Sequence, residues 1–120
     1  MAIVKVVKGL KPKFGKHCYL ADGAVIIGEV TLGDDVTIWP CAVLRGDVHY
    51  IKIGNRSNIQ DNSCVHTLNG TAPVESGEDV TVGHSVTLHG CTILDGALIG
   101  MGATVLDHAV VGRGAIVAAD

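Results

Sequence analysis

Aliphatic residues recur at every sixth position along most of this chain. The series comprise Leu20, Ile26, Leu32, Ile38 and Leu44, then Ile53, Ile59 and Val65, then Val82, Leu88, Ile93, Ile99, Val105, Val111 and Val117, with one step of five before Ile93. A period of six matches neither the 3.6 residues of a helical turn nor the simple alternation of a half-buried strand. It predicts an all-β fold, a solenoid of triangular cross-section in which each side is one short strand and each corner a tight turn.

The period assigns the aliphatic residues to three sides of this prism. Face one carries Leu20, Ile38, Ile59, Val82, Ile99 and Val117; face two carries Ile26, Leu44, Val65, Leu88 and Val105; face three carries Leu32, Ile53, Ile93 and Val111. Two segments interrupt the period: residues 45–52 add three positions, and residues 67–80 form a polar loop containing Gly and Pro. We expect a single β-helix domain over residues 1–120, with function concentrated at such interruptions.

The composition agrees with a narrow prism that has no room for rings. Apolar residues make up 48% of the chain, aromatic residues only 3%, and 16 glycines are available for turns. A charged fraction of 18% and a mean hydropathy of +0.40 exclude a disordered chain. The net charge of −3 argues against a nucleic-acid-binding protein, and no apolar run approaches the roughly 18 residues of a membrane span. We therefore expect a soluble, cytoplasmic protein with neither a nucleic-acid nor a membrane partner.

The basic residues are concentrated at the N-terminus. Five of the nine Lys and Arg residues lie within residues 1–16, whereas all twelve acidic residues follow them. Two interpretations remain open. This basic segment is either an arm that docks on an acidic surface or a strand edge that its lysines protect from pairing.

The four cysteines, Cys18, Cys41, Cys64 and Cys91, include no CxxC pair. Their spacing therefore indicates neither a zinc ribbon nor a disulfide framework. We interpret them as small buried apolar residues, although Cys64 and Cys91 each lie two positions from a histidine.

The residues that directly follow the face-two aliphatics form a column, Ile27, Arg45, His66, His89 and Leu106. His66 and His89 therefore lie on consecutive coils, about 4.8 Å apart at the backbone, where two imidazoles can bind one metal ion. His84 comes two residues after Val82 of face one and therefore lies on a different side of the prism. Because a side of five or six residues spans roughly 16–20 Å, His84 reaches the other two histidines only from a second copy. Three copies then close a ring with one metal site at each boundary, which predicts a homotrimer.

The other three histidines have weaker claims to a function. We interpret His17 and His108 as solvent-facing residues. His49 lies in the three-residue insertion near Asp47. It either supports the metal ligands or faces solvent, and the solvent-facing interpretation is favoured.

Four segments carry a family resemblance: residues 45–47 (RGD), 58–62 (NIQDN), 65–66 (VH) and 82–91 (VGHSVTLHGC). With these motifs the chain resembles the γ-class carbonic anhydrases, a family of hexapeptide-repeat proteins, along nearly its whole length. The resemblance implies a left-handed parallel β-helix that assembles as a trimer, with zinc or a similar divalent ion at each interface. It implies His66, His84 and His89 as the metal ligands.

The resemblance also implies polar residues around the metal. Arg45 matches the residue that pairs across the interface with an aspartate and helps to hold bicarbonate. Asp47 and Asp61 match the acidic partners in that interface. Gln60 matches the residue that orients the metal-bound water, with Asn58 close by.

The chain departs from the family pattern at three places. Val48 and Asn69 stand where the most active members carry proton-shuttle glutamates, although Glu75, Glu78 and Asp79 lie further along the loop. Family members usually continue with a last coil and a C-terminal helix, which we expect this sequence to lack. A functional metal site with low CO2-hydration turnover is therefore expected.

The sequence thus predicts a lyase of the γ-carbonic anhydrase type, which hydrates CO2 reversibly to bicarbonate through a hydroxide that the metal generates at the trimer interfaces. The expected cofactor is Zn²⁺, with Fe²⁺ or Co²⁺ as alternatives, since three-histidine sites accept each of them. Three other functions stay open: an acyltransferase that uses one histidine as a base, a metal-dependent thioesterase, and a catalytically weak trimeric scaffold that the metal stabilises.

Overall fold

The computed structural model describes residues 1–120 and contains sixteen β-strands and no helix. One sheet contains six of them: β3 (Tyr19–Leu20), β5 (Thr37–Ile38), β7 (Asn58–Ile59), β10 (Thr81–Val82), β13 (Leu98–Ile99) and β16 (Ile116–Val117). The other sheet contains β1 (Ile3–Lys5), β2 (Lys13–Phe14), β4 (Val25–Leu32), β6 (Val43–Ile53), β8 (Cys64–His66), β9 (Val74–Ser76), β11 (Thr87–His89), β12 (Thr92–Ile93), β14 (Thr104–Val105) and β15 (Val110–Val111). With no helix in the fold, no helix is available to span a membrane.

All strand pairs within the two sheets are parallel, and their register follows the period of six. On face one, the paired residues are Leu20 with Ile38, Ile38 with Ile59, Ile59 with Val82, Val82 with Ile99, and Ile99 with Val117. On face two, the aligned residues are Ile26, Leu44, Val65, Leu88 and Val105. The predicted all-β parallel solenoid and its assignment of hexads to these faces are therefore confirmed.

The aliphatic residues fill the interior of the prism. Large side chains such as Ile26, Leu44 and Leu88 are completely buried, and small partners such as Ala24 and Ala42 lie beside them with no exposed surface. Burial of each such large side chain contributes about 1.5–3 kcal/mol to folding. Phe14, Tyr19 and Trp39 are 40%, 50% and 38% exposed, which agrees with an interior too narrow for rings.

The inserted residues 45–52 lie where β6 turns the corner from face two to face three. Gly28 of β4 pairs with Gly46, and the next aligned pair is Val30 with Ile51, so the register shifts by three residues. Gly28 has φ +78°, and a Cβ there would collide with the Gly46 carbonyl oxygen. Because glycine adopts a positive φ without strain and has no Cβ to fill this space, the two glycines set the path of the insertion that carries Asp47.

Two of the segments singled out in the sequence take part in the solenoid. Residues 1–16 include β1 and β2, which pair with the two ends of β4. Within the basic segment, residues 3–5 and 13–14 are therefore edge strands of the larger sheet. The predicted loop 67–80 is shorter than expected, because β9 lies within it and pairs with β6 and β12 on face three. The aliphatic period did not predict β9, because Ser76 occupies the interior position between Ile53 and Ile93.

The interpretation of the cysteines as buried is wrong for two of them. Cys41 and Cys64 are exposed, Cys18 is half-buried and only Cys91 is buried. Cys41 lies at a corner and Cys64 precedes the inward-pointing Val65, so both side chains face outward. Burial raises the pKa of the Cys91 thiol to about 11.

Candidate metal centre

The face-two column predicted from the period is present. Arg45 pairs in register with His66, and His66 with His89. The two imidazole centroids are 5.0 Å apart with 62° between the ring planes. The Nδ1 atom of His66 lies 3.1 Å from the Nε2 atom of His89, so the rings direct one nitrogen each toward the same point.

A carboxylate occupies the other nitrogen of each ring. Asp47 Oδ1 lies 3.0 Å from His66 Nε2, and Asp107 Oδ1 lies 2.6 Å from His89 Nδ1. An ionised carboxylate can only accept hydrogen bonds, so each imidazole donates its outer N–H to its aspartate. In the neutral rings, the two nitrogens that face each other are therefore both left with lone pairs.

This donor set fits a divalent metal ion. Two lone pairs 3.1 Å apart repel each other unless a cation lies between them. Two imidazole nitrogens bound to one tetrahedral ion at 2.0–2.1 Å stand about 3.3 Å apart, close to the separation found. An outer carboxylate on each ring is the usual support of a metal-bound histidine. The residues present thus suit Zn²⁺ or another ion that imidazole binds.

Arg45 extends the column at its lower end. Its guanidinium donates to Asp47 Oδ2 at 2.6 Å, so within one chain Arg45 pairs with its own Asp47. Burial by itself would raise the pKa of the Asp47 carboxyl. The hydrogen bonds from Arg45 and His66, together with the Arg45 charge, outweigh that effect and hold the pKa below its ordinary value of 3.8.

The remaining predicted site residues lie together on face one. His84 Nδ1 is 3.3 Å from Asp61 Oδ1. The Gln60 amide donates to Asn58 Oδ1 at 3.0 Å. An open depression of about 570 Å³ contains these four residues together with Thr37 and Trp39.

The predicted site residues therefore form two groups on different sheets of one chain. No three His, Cys, Asp or Glu side chains of a single chain cluster in a way that could hold a metal ion. Each group contains at least one histidine with an aspartate at one ring nitrogen: Asp47 at His66, Asp107 at His89 and Asp61 at His84.

The sequence reasoning missed Asp107. The column that contains His66 and His89 ends at Leu106, and Asp107 is the next residue, at the corner above His89. The sequence did contain a signal for Asp107. This residue comes one position after Leu106 of the column, much as Asp47 comes two residues after Arg45. Which nitrogen Asp107 meets is visible only in the folded chain.

Other candidates lie elsewhere. His49 is half-buried, and its Nδ1 accepts the Tyr50 backbone N–H at 3.0 Å rather than facing solvent alone. Glu75 accepts the Tyr50 hydroxyl on face three. Glu78 and Asp79 pair with Arg56 at a corner of face three. The loop acids therefore do not approach the histidine pair of their own chain.

Comparison with known proteins places the fold and the motifs in a family. The sequence model described as "Bacterial transferase hexapeptide (six repeats)" matches residues 11–46. A hexapeptide transferase family protein from Anaplasma phagocytophilum has a similar crystal structure, with a TM-score of 0.86 and 38% identity, covering 98% of this chain and 75% of that one. The chain belongs to the hexapeptide-repeat family. The parallel solenoid described above is the architecture that the repeat of this family predicts.

Within the hexapeptide-repeat family, the chain is γ-carbonic-anhydrase-like. It is 48% identical over 106 residues to protein YrdA of Escherichia coli K12, covering 83% of this chain and 58% of that protein. It is 47% identical over 96 residues to the mitochondrial γ carbonic anhydrase 1 of Arabidopsis thaliana, covering 76% of this chain and 35% of that protein. The chain thus spans between about a third and somewhat over half of the length of these curated relatives.

Proposed function

We propose that this protein hydrates CO2 reversibly to bicarbonate at a divalent metal ion shared between copies of the chain. The observation that carries the proposal is the pair of ring nitrogens of His66 and His89, 3.1 Å apart, with each outer nitrogen held by an aspartate. The similarity to named γ-class carbonic anhydrases supports the same assignment. Zn²⁺ is the proposed ion, with Fe²⁺ and Co²⁺ as alternatives.

His66 and His89 of one copy would hold the ion together with His84 of another. With these three imidazoles as its ligands, the bound ion would supply the acidification of a water molecule to a pKa near 7 and so a nucleophile for CO2 at neutral pH. If the three histidines share one ion, face one of each copy would meet face two of the next, and such heterologous contacts close into a homotrimer under threefold symmetry.

The surrounding residues would bind and orient the reactants. The Arg45 side chain is 47% exposed, so its guanidinium is available to attract a bicarbonate anion beside the histidine column. Gln60 can use its amide oxygen as an acceptor, because its amide nitrogen is engaged by Asn58. This orientation suits a residue that holds the attacking water in place on the neighbouring face.

Proton removal is the weak step. Val48 and Asn69 cannot take a proton, and Glu75 is bonded to Tyr50 on face three. His49 lines an open depression of about 390 Å³ together with Asp47. It is therefore the side chain of the insertion that we propose for proton removal. We expect slow turnover that rises with buffer concentration, because an external base replaces the missing carboxylates.

A hexapeptide acyltransferase is the second candidate, because the matching family model and the Anaplasma phagocytophilum protein carry transferase names. Metal content separates the two. Protein that purifies without a stoichiometric divalent ion and binds acyl-CoA would support acyl transfer. A metal-dependent thioesterase would bind both, and a metal-stabilised scaffold would bind the ion without turnover.

Subunit mixing tests the shared site directly. We expect His84→Ala and His66→Ala proteins each to lose the stoichiometric metal and the hydration of CO2. When the two are unfolded together and refolded, some interfaces combine an intact His84 with an intact His66 and His89, so part of both signals should return. Mixing His66→Ala with His89→Ala is the matched control, since no interface of that mixture is complete. Equal signals in the two mixtures, or a monomeric native mass, would contradict the proposal.

A further inference from the structure

We propose that Asp107 is a positioning residue that selects which ring nitrogen of His89 carries the proton and so keeps the histidine pair open to a metal ion. The inference deepens the proposed function and rests on the same site. It concerns a residue that the sequence reasoning did not identify. The contact that motivates it is the 2.6 Å approach of Asp107 Oδ1 to His89 Nδ1.

Asp107 is held in place by the corner that carries it. The next residue, His108, has φ +64° and donates its backbone N–H to the Gly90 carbonyl at 2.7 Å. This bond ties the corner to the coil below, directly beside His89. Gly90 leaves the space through which the carboxylate reaches the ring, since a Cβ there would collide with Asp107 Oδ1.

Without Asp107 the two histidines could satisfy each other. If His89 carried its proton on Nε2, it could donate to His66 Nδ1 across the existing 3.1 Å, and no lone pair would be left for an ion between the rings. A hydrogen bond to a carboxylate is about twice as strong as one between neutral groups. Asp107 therefore draws the proton to Nδ1 and leaves Nε2 facing His66.

Asp47 performs the complementary task for His66, but on the opposite nitrogen. It holds Nε2, so the two neighbouring histidines carry their protons on different ring atoms. This opposite assignment follows from the two carboxylates alone and gives a direct spectroscopic signature. A merely structural aspartate at position 107 would not produce it.

The test uses the metal-free protein at alkaline pH, with the tautomers of both histidines read from ¹H–¹⁵N correlation spectra of the imidazole rings. We expect His66 protonated at Nε2 and His89 at Nδ1 in the unchanged protein. In Asp107→Ala, His89 should move its proton to Nε2 while His66 keeps its own. Asp107→Asn should preserve the Nδ1 tautomer, because its amide oxygen still accepts.

Metal affinity is the second readout, measured by competition with a chelator. We expect Asp107→Ala to weaken Zn²⁺ binding about 10- to 100-fold and Asp107→Asn to weaken it less. Asp95→Ala is the matched control, since Asp95 also accepts a bond across coils, from the Glu78 backbone N–H at 2.8 Å, but at a different corner, between faces three and one. That control should leave the affinity unchanged.

An unchanged His89 tautomer in a folded Asp107→Ala protein, or equal Zn²⁺ affinities for the Asp107→Ala and Asp95→Ala proteins, would overturn the proposal. If Asp107→Ala does not fold, a His89 proton found on Nε2 in Asp107→Asn or in the unchanged protein would overturn the proposal equally. Absence of CO2 hydration with the predicted tautomers and affinities would instead reject the proposed function and leave the role of Asp107 standing.

Discussion

Two ladders of polar side chains run along this prism, and only one of them brings two imidazole nitrogens face to face. The site ladder lies at face two and consists of Arg45, Asp47, His66, His89 and Asp107. The corner ladder lies beside face three and consists of Asp34, Asn55, Glu78 and Asp95, with Arg56 and Asp79 alongside. Both link successive coils through side chains placed by the same repeat.

In the corner ladder every link joins a donor to an acceptor. The Asp34 backbone N–H donates to Asn55 Oδ1 at 2.8 Å, the Asn55 amide donates to Glu78 at 3.1 Å, and the Glu78 backbone N–H donates to Asp95 at 2.8 Å. The ladder is complete without any outside group. Its function is to join the coils.

The site ladder has an aspartate at each end and two facing imidazole nitrogens, 3.1 Å apart, in the middle. Its outer links are 2.6 Å from Arg45 to Asp47, 3.0 Å from Asp47 to His66 and 2.6 Å from His89 to Asp107. Under the proposed function, the facing nitrogens of His66 and His89 are the point at which this ladder binds a cation.

Loss of one histidine should abolish metal binding, whereas loss of a corner residue should not. We expect His89→Ala to reduce bound Zn²⁺ to background, because a single remaining imidazole cannot hold the ion beside one from another copy. Asn55→Ala removes a side chain that bridges coils in the corner ladder and should keep the full metal content. Metal analysis of the purified proteins measures both, and loss of metal from Asn55→Ala would remove the distinction between the ladders.

Gly28→Ala should destabilise the fold more than Gly9→Ala. Both glycines have a positive φ, +78° and +75°, but a Cβ at Gly9 meets nothing within 4 Å, whereas one at Gly28 collides with the Gly46 backbone. Backbone strain alone costs about 1–2 kcal/mol, so we expect Gly9→Ala near this value and Gly28→Ala above it. Chemical denaturation measures the two free energies of unfolding. Metal affinity should fall only in Gly28→Ala, since Gly46 and Asp47 move with the insertion, and equal losses in both proteins would contradict this.

Acid should weaken the corner ladder through Asp79. Its hydrogen bonds with Arg56 hold the pKa of the Asp79 carboxyl below its ordinary value of 3.8. A lowered pKa stabilises the folded state fully above that ordinary value, and the contribution disappears as the pH falls through the folded-state pKa. The melting temperature of Arg56→Ala should therefore be slightly below that of the unchanged protein at neutral pH, with the difference vanishing in strong acid. A difference that persists in strong acid would show that the pairing is not its source.

Thiol labelling should distinguish the two cysteines that lie near the histidines. We expect Cys64, which is exposed, to react readily with a thiol reagent in the metal-free protein. Cys91 should not react, because it is buried and its thiol pKa is about 11. If face two is the interface between copies, metal loading should slow the labelling of Cys64. Peptide mapping after labelling gives both rates, and an unchanged Cys64 rate on metal loading would argue against that interface.

Much of the fold could be predicted because the repeat is regular. An aliphatic residue at each sixth position places its neighbours in known columns, so the period alone was enough to align Arg45, His66 and His89. The strand β9 could not be predicted, because the polar residue Ser76 stands in an interior position where the pattern expects an aliphatic residue. The buried Ser76 hydroxyl has no hydrogen-bond partner. A polar residue at a buried hexad position breaks the pattern without breaking the fold.

The exposure of Cys41 and Cys64 could not be predicted from residue type. Cysteine is usually buried, but in a short strand the direction of a side chain depends on its parity relative to the interior aliphatic. Cys64 precedes Val65, which points inward, and so points outward itself. The position of a residue within its hexad is therefore a better guide to its burial than its type.

Which residues share a column can be read from the sequence, since stacking a period of six at a constant rise brings equivalent positions together regardless of their side chains. Which atoms meet within a column depends on the folded chain. The partner of each imidazole nitrogen depends on corner conformation, such as the left-handed His108, and on the space left by Gly90. Those are properties of two coils in contact. They place a carboxylate at the outer nitrogen of each ring and leave the inner nitrogens of His66 and His89 3.1 Å apart.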